Sequence, residues 1–438
     1  MQTTDAPAAA LAVNPNAVNP NAVNAVLSWE HTHREVLAAL IFQHEMGKRG
    51  LPSSLRQLSG NHGLLPPRSV YFTPFYYDDF DLGRYHFNAA ASSAWLVNLS
   101  YEQMHFRCGR SYLLPDGRFA REQMLHCAWG ERYRHLLQAH GIPDERIRLT
   151  GHPRFDIYDR PTLLFTRAQL AAQFGLDPDK PWILVPYNFN LSYITDRQRR
   201  GLEARNYHLS DDFLQGVADA REAFTQMVRD ITDRFPDVEV ILRVHPAGYE
   251  SETIYKDEPR LGRNLHLISA FDIANWIRAS ALVIVWNSTS AMEALVAGVP
   301  AISYEPFPFH ARFDYDVNRI LPTFDAVGDV MAVIDALPNP ALTYDWPLFE
   351  SWYKYRDGNN VGRQIAIIAE AEADFSRFVC RPDAKSRVKS GLQRVRDGLG
   401  RRSVAEAQGH DKLAGIAPDV MQRAIETLSI DGLVEVLR

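Results

Sequence analysis

The sequence predicts an α/β protein of two parallel-sheet domains, followed by C-terminal helices and a helical tail. Three observations carry this. Short β-branched runs alternate with longer stretches of helical period, as in strands joined by crossover helices. Two of those runs, Val238–Val244 (VEVILRV) and Ala281–Val285 (ALVIV), end in loops of His, Pro, Asn and hydroxyl residues, the place where such sheets bind ligands. The 438 residues suffice to bury two ordinary cores.

Composition narrows the function classes. At 23% charged and 46% hydrophobic residues the chain is an ordinary globular protein. Its net charge of −6 supplies no basic field for a nucleic-acid partner. Cys108, Cys127 and Cys380 lack metal-ligand spacing and cannot all pair, which points to a reducing cytoplasm. No stretch approaches the ~20 apolar residues that span a bilayer, so the expected location is cytoplasmic, or peripheral on the inner membrane face.

Taken in order, residues 1–26 hold the run AVNPNAVNPNAVNAV, which has neither a basic n-region nor an apolar core; it is expected to be disordered. The first domain, 27–165, opens with Val36, Leu37, Leu40, Ile41 and His44 at helical spacing before the stop Gly47-Lys48-Arg49-Gly50. Strands are expected at Ser69–Phe72 and Ser93–Leu99, and a helix at Arg121–Gly141. Asp78, Asp79 and Asp81 of YYDDFD have the chemistry for a divalent cation, but a solvated loop is the preferred reading. Directly after SAWLVNL, Ser100-Tyr101-Glu102-Gln103 puts Glu102 at a carboxyl strand end facing the cleft. CAWGER (Cys127–Arg132) and LTGHPRFD follow. Gly151-His152-Pro153-Arg154 begins the crossing, where His152 and Arg154 are suited to a substrate's carboxylate or phosphate. Equally, Arg154 and Asp156 are suited to pinning the linker.

The second domain, 166–345, opens with the strand Trp182–Pro186 and the loop Tyr187-Asn188-Phe189-Asn190; Asn188 and Asn190 are candidates for a donor phosphate, beside ordinary turn chemistry. A helix is expected at Asp211–Arg234. Pro246 restricts His245 to an extended backbone, holding its imidazole beyond the strand end beside Arg243 as a phosphate donor or general acid. Ser288, Thr289 and Ser290 stand where the helix AMEALVAG begins, and the unpaired N–H groups there favour an anion. Glu293, in the first turn, either caps the helix or reaches a ribose.

Residues 346–380 read as helical segments around Asp357-Gly358-Asn359-Asn360, and 381–438 as a basic amphipathic and helical tail. In 381–402, Val388, Leu392, Val395 and Leu399 share one helical stripe among basic residues. That pattern suits an anionic membrane surface bearing a lipid-linked acceptor, and equally a helix packed on the protein. Pro418–Arg438 is expected to be a small helix pair.

The pairing of RVHP with NSTSAMEALVAGVPAISYE resembles the nucleotide-binding half of GT-B glycosyltransferases, especially bacterial enzymes using CMP-activated acidic sugars: Kdo transferases of capsule and lipopolysaccharide, and sialyl- and pseudaminyltransferases. REVLAALIFQHEMGKRG (Arg34–Gly50) and LTGHPRFDIY (Leu149–Tyr158) resemble proteins of surface-carbohydrate biosynthesis. The resemblance implies a GT-B fold, two Rossmann-like domains facing across a cleft with 346–380 as crossover helices packing back on the first domain, and a metal-independent glycosyltransferase. Its donor would be a CMP-linked Kdo-like or nonulosonic sugar, its acceptor a surface glycan or lipid-linked molecule, and no further cofactor is implied. It assigns the CMP phosphate to His245, Ser288, Thr289 and Ser290, and the ribose to Glu293. It also implies an acidic base or nucleophile from the first domain. Glu102 is nominated, with Asp78 and Asp79 as substitutes, because the acidic-acidic-glycine triplet of several relatives is missing. CDP-glycerol or CDP-ribitol phosphotransferases carry similar motifs. A UDP-sugar GT-B enzyme (transferase or epimerase) and a catalytically silent binding protein are the remaining alternatives.

Overall fold

The computed structural model describes residues 22–58, 63–244, 258–381 and 384–398. The first sheet contains β1 (Asn24–Trp29), β2 (Ser53–Gln57), β3 (Ser69–Thr73), β4 (Trp95–Asn98), β5 (Met124–Ala128) and β6 (Ile147–Leu149), in the order β2-β1-β3-β4-β5-β6. The second contains β7 (Trp182–Tyr187), β8 (Glu239–Val244), β9 (Leu265–Leu267), β10 (Leu282–Val285), β11 (Ala301–Tyr304) and β12 (Thr323–Phe324), in the order β12-β11-β10-β7-β8-β9. All pairings between these strands are parallel. Strand order reverses between β1 and β3 and again between β7 and β10, giving each sheet a switch point where a ligand crevice opens.

Two expectations need correction. Residues 24–26, assigned to the disordered N-terminus, belong to β1, a strand buried along nearly its whole length between β2 and β3. The Asn-Ala-Val repeat hid a short buried strand, with Val26 its one β-branched residue, whose partners are supplied from elsewhere in the chain. The single helix expected over Arg121–Gly141 is instead the helix Arg118–Gln123, the buried strand β5 and the helix Glu131–Ala139. The helix expected near the start is present at Thr32–Lys48, and the one at Asp211–Arg234 is as anticipated, capped by Ser210 on the Phe213 N–H. Among the described residues, no helix is long and apolar enough to cross a membrane.

Strand lengths shape the second crevice. β7 stays in register with β8 as far as Tyr187 opposite Val244, whereas its pairing with β10 ends at Leu184 opposite Val283. Pro186, with no N–H to give, lies past that last pairing, where it breaks no ladder to β10. The two strands therefore part just before their polar ends.

The segment leaving β6 does most of the tying. Gly151, at φ +75°, lets Asn360 approach so closely that a Cβ there would lie 1.8 Å from its Oδ1. Asp156 accepts from the N–H groups of Asn360 (3.0 Å) and Val361 (2.8 Å), capping the returning helix Asn360–Ala373. That helix packs on Thr32–Lys48, the Trp95 indole donates to the Phe375 carbonyl at 2.7 Å, and the helix Trp346–Trp352 lies on Glu131–Ala139. The C-terminal helices thus return to the first domain, and the helix Ala384–Gly398 follows, packed on the helix Phe87–Ala91.

Candidate functional site

At the second switch point the loops that follow β7 and β10 are bridged beyond the parting of the strands. The Asn188 amide donates to Asn287 Oδ1 at 3.3 Å, above a Phe189–Trp286 stack with centroids 4.8 Å apart. The Asn287 carbonyl accepts from the Tyr315 hydroxyl at 3.2 Å, and the Trp286 carbonyl from Ser303 at 3.1 Å, so the loop backbone is held from below. Ser288 and Ser290 hydroxyls bond each other at 2.7 Å where the helix Ser290–Val296 begins. Thr289 is exposed and makes no capping bond, leaving two of the three hydroxyls converging. Asn190 opens the short 3-10 turn that follows β7. His245 lies outside the described residues.

Arg243, at the end of β8, is buried and donates to the carbonyls of Ala270 (2.7 Å) and Phe271. Burial lowers its pKa to about 10, so it remains a cation at neutral pH, with both terminal nitrogens aimed at backbone. Arg243, a sequence candidate for binding the donor nucleotide, gives these two bonds to the second domain's own backbone.

Glu293, Arg154 and His152 are likewise engaged. Arg154 Nε and Nη2 donate to Glu293 Oε1 (3.0 Å) and Oε2 (2.8 Å), its terminal nitrogens reach both Asp272 oxygens at 2.8 Å, and Nη1 also reaches the Arg34 carbonyl. The Tyr158 hydroxyl adds a bond to Glu293 at 2.9 Å. Burial opposes the charge of Arg154, but Asp272 and Glu293 outweigh it and hold its pKa well above the ordinary value. His152 stacks on Trp129 with centroids 3.8 Å apart, and burial, then the charges of Arg154 and Arg34, push its pKa far down. Of the alternatives for this stretch, pinning the linker is the one with structural partners. Glu293 binds Arg154 and Tyr158 rather than standing free for a ribose.

On the first domain, Glu102 follows β4 and is half-exposed, accepting from Arg34 at 3.1 Å. Its charge is felt by Tyr77 and Tyr112 on its own side and by Tyr207 and Tyr315 across the cleft. The turn that presents it is strained: Ser100 has φ +48°, an uncommon conformation for a non-glycine residue, steadied by its N–H on Asn98 Oδ1 at 3.1 Å. Beyond it, Arg107 donates its N–H to Phe313 (2.7 Å), Arg110 pairs with Asp314 (3.0 Å), and Phe106 stacks on Phe213 (5.4 Å), docking this loop into the second domain.

The acidic cluster is neither a free loop nor a group facing Glu102. Asp78 caps the next turn and pairs with Arg205 of the second domain at 3.0 Å, as does Asp81. Asp79 accepts from the Tyr76 hydroxyl at 2.9 Å. Among the described residues, no group of three His, Cys, Asp or Glu side chains is placed to hold a metal ion, and Cys108, Cys127 and Cys380 form no disulfide.

Sequence reasoning overlooked His33, Arg34 and Asp272. His33 and Arg34 stand in the first turn after β1, at the first sheet's switch point; once β1 is recognised, EHTHR is the polar segment that follows a strand end. Arg34 gathers Glu35 (2.8 Å) and Glu102. Burial, then the Arg243 charge, lowers the pKa of His33, while Asp272 opposes this; His33 therefore faces the end of β8 from the other domain.

No protein-family model matches the chain, and no curated protein sequence matches it. Solved structures do. The chain is similar to the wall teichoic acid polymerase TagF, with TM-score 0.52 and 11% identity over 82% of this chain and 91% of that one. A TagF variant soaked with CDPG gives TM-score 0.51, 11% identity, and 82% and 90% coverage. A UDP-N-acetylglucosamine 2-epimerase from Rickettsia bellii gives 0.49 and 12%, over 81% and 97%. Identities this low speak to architecture alone, and the architecture is that of the GT-B fold, two Rossmann-like domains facing across a cleft.

Proposed function

We propose that the protein is a GT-B transferase of cell-surface glycan synthesis that moves an acidic sugar, Kdo-like or nonulosonic, from its CMP ester to a glycan or lipid-linked acceptor. The observation that carries this reading is the neutral donor cluster of Asn188, Asn287, Ser288 and Ser290 at the second switch point. The nearby carboxylate Glu293 has its charge met by Arg154, so it does not repel a phosphate there. In this reading the hydroxyls and amides hold the nucleotide phosphate, with His245 and the first-turn N–H groups joining them. Glu102, steadied by Arg34, takes the proton from the acceptor hydroxyl as the sugar leaves CMP.

A second reading has a specific observation behind it. The likeness to TagF, including the form soaked with CDPG, favours transfer of a polyol phosphate from a CDP-linked polyol, with CMP leaving, on the same scaffold. A thermal-shift panel of CMP, CDP, UDP, GDP and ADP separates the two. A ligand of the folded state adds RT ln(1 + [L]/Kd), about 2.7 kcal/mol at a hundredfold excess over Kd. CMP is the nucleotide released in both readings, so its binding supports the shared scaffold; no gain from CDP over CMP supports the acidic-sugar reading, and clearly tighter binding of CDP supports the second. Selective stabilisation by UDP would overturn both.

A further inference from the structure

We propose that the helix Ala384–Gly398, with the segment around Phe80 beside it, is a docking surface for an anionic lipid bilayer. The helix is mounted with its apolar side outward. Ser386 (4% exposed) and Ser390 (1%) form its buried side, against the small residues of the helix Phe87–Ala91. Residues two apart on a helix lie about 200° apart. Val388 and Leu392 therefore point away from the protein, and they are 61% and 66% exposed; Val395, one turn on, is 63% exposed. A helix held only by the protein would bury these three and expose the serines.

The same face gathers nearly all such residues in the molecule. Of the five exposed large hydrophobic residues among the described ones, four are Val388, Leu392, Val395 and Phe80. Lys389 connects them, donating to the carbonyl of Gly83, three residues along from Phe80, and lying over the Phe87 ring at 5.1 Å. Phe80 is 56% exposed, with the Arg84 guanidinium 5.9 Å from its ring centroid.

Charge selects the occupant. The helix sequence carries Lys385, Arg387, Lys389, Arg394 and Arg396 against the single acid Asp397, in a chain whose net charge is −6. An apolar stripe flanked by cations lies in the headgroup boundary of an anionic leaflet, while the acidic remainder of the protein is repelled from it, which also orients the molecule. A second copy would bring cation against cation. Asp78 and Asp81, which hold Arg205 of the second domain, flank Phe80, so the docked face lies next to the contact between the two domains. This inference does not depend on which donor is used.

The test is flotation of the full-length chain with vesicles of phosphatidylglycerol and phosphatidylethanolamine, against vesicles of phosphatidylcholine alone. The expected result is binding to the anionic vesicles that weakens as salt is raised. V388S, L392S and V395S combined, and K385E with R387E, should each reduce partitioning about tenfold or more while leaving the unfolding temperature unchanged, since these side chains are exposed. If the wild-type chain stays in the soluble fraction with both vesicles, the proposal fails and the stripe is left to residues 399–438 or to a second copy. Equal flotation of the serine variant would overturn it as well.

Discussion

Arg154, in the linker leaving the first sheet, and Glu293, in the helix after β10, meet in a buried two-point fork, Nε on Oε1 at 3.0 Å and Nη2 on Oε2 at 2.8 Å. The other edge of the same guanidinium holds Asp272, which in turn caps the helix Ile273–Ala279 through the Ala274 N–H. One planar cation thus fixes the start of two second-domain helices relative to the chain that crosses between domains. Removing it strands two buried carboxylates. Arg154→Met should lower stability by about 3–5 kcal/mol in urea unfolding, and Arg154→Lys should recover little because an ammonium cannot make the fork. A loss under about 1 kcal/mol for the Met variant would show that the pair is not held this tightly.

The fold was legible where strands were long or strongly β-branched: β7, β8 and β10 and the loops at their ends stood out, and these form the second crevice. What stayed hidden depended on partners distant in sequence. β1 sat inside a repeat that imitates disorder, and without it His33 and Arg34 had no strand end to belong to. β5 was masked by helical spacing on both sides. The roles of Arg154 and Glu293 were ambiguous because a free Arg and a paired one look alike until residue 293 is brought against residue 154. The DDFD acids posed the same difficulty, their partner Arg205 lying in the other domain.

Glu102 is the proposed base, and its surroundings separate it from its rivals. Glu102→Gln keeps the shape and the bond from Arg34 while losing the proton acceptor. Turnover should fall roughly 100- to 10,000-fold with CMP affinity near wild type. Asp78→Asn loses charge opposite Arg205, and Asp79→Asn disturbs only the bond from Tyr76, so both should shift stability more than rate. Normal turnover in Glu102→Gln would remove it from the role.

For the anion site, Ser288→Ala with Ser290→Ala deletes the converging hydroxyl pair. Nucleotide affinity should drop by about 1–3 kcal/mol in titration calorimetry with CMP. Thr289→Ala, at an exposed position without a capping bond, should change it little. Equal losses from the two variants would mean that the phosphate is held in some other way.

Acid should loosen the first domain before carboxylates titrate. Burial lowers the pKa of His86 to about 3 and those of His105 and His126 to about 4, from 6.5 in the unfolded chain. Between these values the unfolded state takes up protons that the folded state refuses, so stability rises with pH there. It is fully present above about pH 7, falls as pH drops through 6.5, and levels off only near 4, at up to about 1.4 kcal/mol per unit for each group. The ring of His86 lies among Tyr71, Phe75, Tyr76 and Tyr85, with centroids 6.0–6.3 Å away, so His86→Phe keeps an aromatic there and removes one titration. Unfolding temperature recorded from pH 7.5 to 5 should decline in the wild type and decline less steeply in His86→Phe. Parallel curves for the two proteins would show that His86 is not a source of the slope.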